Sequence, residues 1–68
     1  MHLSFYRFNE EIAVVKGNIP DEQTAYSLMI DDIQSRGFFS PYQRILQYDN
    51  YKLIDFGSHE YFYRLYKN

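Results

Sequence analysis

The sequence predicts an α+β fold, an antiparallel sheet in the order β-β-α-β-β-β with one helix packed on one face. Two observations lead there: five short runs dense in aromatic and β-branched residues, and one stretch, "GNIPDEQTAYSLMIDDIQSRGFF", with the periodicity and punctuation of a helix.

The first two runs, "HLSFYRF" (2–8) and "EIAVVK" (11–16), are separated by the polar pair Asn9-Glu10 and read as a hairpin. A helix is expected over residues 20–36. Pro20 suits its first position, Asp21 and Glu22 lie at the positive end of its dipole, and Gly37 can take the left-handed conformation that closes it. At about 100° per residue, Ala25, Tyr26, Met29, Ile30 and Ile33 fall within an arc of about 140°, with Thr24, Ser27, Asp31, Asp32 and Ser35 opposite. Leu28 is the misfit, an apolar side chain set among Asp21, Asp31 and Asp32. Beyond Ser40-Pro41, "QRILQY", "YKLIDF" and "EYFYRLYK" read as a three-stranded meander with turns at Asp49-Asn50 and Gly57-Ser58-His59.

With 68 residues the chain makes one small domain, 1–68, and a domain of this size buries only about 60% of the surface its unfolded chain exposes. There is no cysteine for a disulfide, and two histidines 57 positions apart supply too few donors for structural zinc. The eight Tyr and six Phe must therefore supply the core. Seven Lys and Arg against nine Asp and Glu leave a net charge of −2 with no charged run, so neither polyanions nor membranes are implied as partners. The longest apolar run is "IAVV", too short for a membrane span or a signal peptide. A soluble cytoplasmic chain is expected.

Side chains alternate across a strand, so polar residues reveal which set faces water. Arg64 and Asp55 mark the face away from the helix, which sends Tyr61, Tyr63, Leu65, Ile54 and Phe56 to the core. The same rule gives Leu3, Phe5, Ile12, Val14, Leu46 and Tyr48 to the core. It leaves Tyr6, Val15, Ile45, Tyr51, Leu53, Phe62, Arg64 and Tyr66 on the open face. That set is too apolar for a solvated sheet face. Together with Leu28 on the helix it forms the candidate protein-binding set.

No catalytic constellation emerges. His2 is expected to fray at the chain start and His59 to sit in a solvated turn. The serines lack a nucleophile elbow or a phosphate-cradling loop. Asp31 and Asp32, adjacent on a helix, point about 100° apart and read as a solvated acidic face. Aromatic rings beside Arg44, Lys52, Arg64 and Lys67 are the ingredients of a single-strand nucleic-acid platform. The acidic balance and the lack of an RNP-type motif make nucleic acid the weaker alternative. The sequence therefore points to a non-catalytic protein-binding module without cofactor or metal. A homodimer formed through the open sheet face, or by edge pairing of the terminal strand, is the simplest version. A heterologous protein target bound by inhibition or recruitment would use the same patch.

Overall fold

A computed structural model describes residues 1–67. Its elements are β1 (His2–Arg7), β2 (Glu10–Lys16), α1 (Glu22–Ser35), β3 (Arg44–Gln47), β4 (Tyr51–Asp55) and β5 (Tyr61–Tyr66). The strands form one antiparallel sheet in the order β2-β1-β5-β4-β3. The fold is the α+β arrangement that the alternation of patterns predicts, a hairpin, a helix and a meander. Tertiary pairing adds one thing: β5 closes the meander onto the hairpin by pairing with β1, with Leu3 opposite Leu65 and Phe5 opposite Tyr63. The terminal strand is thus central, and the edge pairing expected of it is not open to it.

The helix begins one turn position later than the proline suggests. Asp21 is the N-cap, its side chain accepting the Thr24 N–H at 2.8 Å, and Pro20 lies before the cap rather than in the first turn. At the other end Gly37 takes φ 78°, the Phe38 N–H reaches the Ile33 carbonyl and the Gly37 N–H that of Gln34. This paired closure satisfies carbonyls that a helix end leaves free and brings Phe38 back over Ile33. The chain then crosses to β3, passing the β4–β5 turn so closely that a Cβ on Gly57 (φ 100°) would lie 2.8 Å from the Pro41 ring. Only glycine fits there.

The core lies between α1 and one face of the sheet. Leu3, Phe5, Ile54, Phe56, Tyr63 and Leu65 meet Ala25, Met29 and Ile33, with Ile19 beneath the helix entry. Phe38 closes one end, its ring 5.3 Å from Tyr61 and 5.6 Å from Phe56. Tyr63 is wholly buried, yet its hydroxyl donates to Asp32 Oδ2 at 2.5 Å. Arg36 donates to the same oxygen while its guanidinium stacks 4.0 Å over Phe5. Asp32 is therefore the polar tie between sheet and helix, not part of a solvated acidic face.

Several expected facings are reversed. The β1–β2 ladder has irregularities between Leu3 and Ser4 and between Phe5 and Tyr6, so Ala13 lies opposite Phe5 and Val14 opposite Ser4. Each extra residue shifts parity by one. Val15 consequently packs against the core, while Val14 is 58% and Ile12 48% exposed. In β3 the pairs Ile45 with Ile54 and Leu46 with Leu53 turn Ile45 toward the helix side and Leu46 to the other. Tyr48 is exposed rather than core. Leu28 is half-buried against the core cluster, and Ile30, expected in the packed arc, is exposed. His2 is held in β1 with its ring stacked 4.6 Å from that of Tyr66. The terminal amine and carbonyl of Met1 are both bonded to Ile19, so this end does not fray.

Replacing Tyr63 by Phe keeps the ring but leaves Asp32 with Arg36 alone. Equilibrium urea unfolding is expected to show a loss of about 2 kcal/mol with an unchanged denaturant slope.

Candidate protein-binding surface

The strand alternation that sends Tyr63 and Leu65 into the core turns Phe62, Arg64 and Tyr66 to the opposite face. The pairings Tyr6 with Phe62, Ser4 with Arg64 and His2 with Tyr66 align β1 beside them. Tyr51 and Leu53 lie opposite Tyr66 and Arg64 on the other flank. No helix covers this face.

Arg64 organises its centre. The guanidinium stacks 4.1 Å from the Tyr6 ring centroid and 4.5 Å from that of Tyr51. One terminal nitrogen donates to the Tyr66 hydroxyl at 3.3 Å, the other to Asn9 Oδ1 at 3.2 Å. The Tyr6 and Tyr66 hydroxyls share a 2.7 Å hydrogen bond. A desolvated cation between two rings is a favourable contact, about 1–2 kcal/mol each. Among the described residues, Arg7, Arg36, Arg44 and Lys52 each pair with a carboxylate, and Arg64 does not. Its Nε, together with Ser4 Oγ, is buried without a hydrogen-bond partner.

Around this centre the rings continue. His2 stacks on Tyr66, Tyr66 meets Tyr51 at 5.2 Å, and Tyr51 stacks on Tyr48 at 5.1 Å. Phe8, Tyr48, Tyr51, Leu53, Phe62 and Arg64 line a shallow concavity of about 260 Å³. Phe8 sits at the tip of the β1–β2 hairpin with φ 53° and is 56% exposed. A bulky aromatic residue in the left-handed region is strained, and strain of this kind gathers at contact sites.

Of the nine side chains singled out from the sequence, Tyr6, Tyr51, Leu53, Phe62, Arg64 and Tyr66 share this face. Val15, Ile45 and Leu28 do not: Val15 and Leu28 pack on the core, and Ile45 lies on the helix side of β3. Sequence reasoning missed His2, Phe8 and Tyr48. Two of them flank hairpin turns, and the pair Phe8-Asn9, rather than Asn9-Glu10, forms the first turn. An aromatic residue beside Asn in a two-residue loop was the available signal.

No protein-family model matches the chain, and comparison with curated proteins and with solved structures finds no significant match. No helix among the described residues is long and apolar enough to cross a membrane.

Two predictions follow from the geometry. Phe8→Gly relieves the hairpin strain and is expected to stabilise the chain by about 1 kcal/mol in urea unfolding while removing one wall of the concavity. The second concerns alkaline pH. Burial first, then the hydrogen bond with Tyr66, pushes the Tyr6 phenol from 10.0 up to about 12, and burial and Asp32 raise Tyr63 as well. The folded state thus holds these protons more firmly than the unfolded chain, so their stabilisation is complete below pH 10 and lost as pH rises through about 12. A phenolate absorbance titration should show late-ionising tyrosines, one of them removed by Tyr6→Phe, with unfolding over the same window.

Proposed function

We propose that this chain is a non-catalytic protein-binding module whose aromatic sheet face is its contact surface, with a second copy of the chain as the first occupant. The observation that carries the reading is the concavity around Arg64 on the face that α1 leaves open. Tyr, Phe and Arg in a partly desolvated patch are the residues that dominate interface energies. Half-burial of Phe62, Tyr51 and Tyr66 means that much of their ordering cost is already met within the fold. A heterologous protein, inhibited or recruited, would bury the same patch.

Single-strand nucleic acid draws less support. Base stacking needs free ring faces and nearby cations. Here Arg64 occupies one face each of Tyr6 and Tyr51, and Arg44, on the same side, is bound to Asp55 at 3.3 Å.

Sedimentation velocity from low to high micromolar concentration tests the reading. The mass is expected to rise with concentration, and Phe62→Glu is expected to suppress a dimer formed through this face while leaving the far-ultraviolet helix signal intact. Unchanged self-association in that variant removes the face as the contact. A salt-dependent affinity for single-stranded oligonucleotides that disappears in Arg64→Ala would move the function to nucleic acid.

A further inference from the structure

The two edges of the sheet are unlike. β2 carries two register irregularities and the charged residues Glu10, Glu11 and Lys16, devices that discourage a further strand. β3 has neither. Its pairing with β4 is regular over all four residues, every one of them is exposed, and it carries Ile45 on one face and Leu46 on the other.

Which backbone groups this edge offers follows from the hairpin. The Tyr48 N–H donates to the Tyr51 carbonyl at 2.9 Å. Antiparallel pairs alternate between bonded and non-bonded. Leu46 with Leu53 and Arg44 with Asp55 are thus the bonded pairs, and the N–H and C=O of Ile45 and Gln47 point away from the sheet. α1 leans on β1 and β2 at the far side, so it does not overhang this edge.

We propose that β3 pairs antiparallel with β3 of a second copy about a two-fold axis normal to the sheet, with Ile45 opposite Ile45. The choice of a second copy rests on self-complementarity. In that register Ile45 exchanges both backbone hydrogen bonds with its equivalent, and Gln47 does so with Gln43. Facings are preserved, as a continuous sheet demands. Ile45 meets Ile45 on the helix side, and Leu46 meets the aliphatic stem of Arg44 on the other. No like charges stand opposite one another, and the Arg44 charge is already held by Asp55 of its own chain. The product is a ten-stranded sheet with both aromatic faces on one side. This contact is separate from the aromatic-face reading and does not depend on it.

Ile45→Pro tests it, because the N–H that proline removes is one the hairpin does not use, and an edge position whose N–H faces outward tolerates the ring. Sedimentation of the full chain is paired with amide hydrogen exchange by NMR. The expected result is a concentration-dependent dimer lost in Ile45→Pro and retained in Phe62→Glu. Exchange at Ile45 and Gln47 should slow at least tenfold from low to high concentration, while Leu46 is protected throughout. Ile45→Lys, which sets two cations face to face, should also abolish pairing without unfolding the chain. A monomer at every concentration overturns the proposal. So does a dimer lost in Phe62→Glu but kept in Ile45→Pro, with the Ile45 and Gln47 amides exchanging freely; that outcome leaves the aromatic-face reading standing.

Discussion

The hydrogen bond from the buried Tyr63 hydroxyl to Asp32 is the contact on which the remaining structure depends. It spans the core from the central strand to the helix and solves two problems together. A fully buried phenol needs an acceptor, and a helix resting on a small sheet needs something directional to set its position. Arg36 completes the arrangement by neutralising Asp32 while covering the Phe5 ring. In a chain without disulfide or metal, this polar tie and the aromatic packing around it take the place of a covalent staple.

Because β5 is central, its alternation divides the molecule. Tyr63 and Leu65 build the core on one side, and Phe62, Arg64 and Tyr66 build the open face on the other. The two sides use the same chemistry differently. Toward the helix, Arg36 has a carboxylate partner and a phenyl ring. Away from it, Arg64 has two tyrosine rings and neutral acceptors only. A positive charge held in place by rings, with unspent donors, gives the open face a polar anchor inside an apolar rim. Such a combination favours a partner with a defined orientation over nonspecific sticking.

The sheet edges extend the same logic. β2 is irregular where it must cover the side of the core, and its bulges tuck Val15 inward while keeping a further strand away. β3 is regular and short, held to the sheet by β4 and by the Arg44–Asp55 pair. The segment 37–43 that leads into it is positioned by the Schellman closure at Gly37 and the close approach of Pro41 to Gly57. Local turn chemistry at these glycines therefore decides how far the edge stands out from the body of the protein.

Much of this was legible in the residues themselves. Alternation marked the strands, 3.6-residue periodicity with Asp21 and Gly37 marked the helix, and the polar residues Arg64 and Asp55 assigned the faces of β5 and β4 correctly. These signals are local, carried by side chains whose preferences hold whatever the neighbours do. Three matters needed the tertiary structure. The place of β5 between β1 and β4 is a long-range pairing with no local signature. The facings of Val15 and Ile45 depended on bulges and register, where one residue reverses a strand. The roles of Asp32 and Leu28 depended on the tilt of α1, because a helix face that looks polar in projection can still be the face a buried tyrosine reaches.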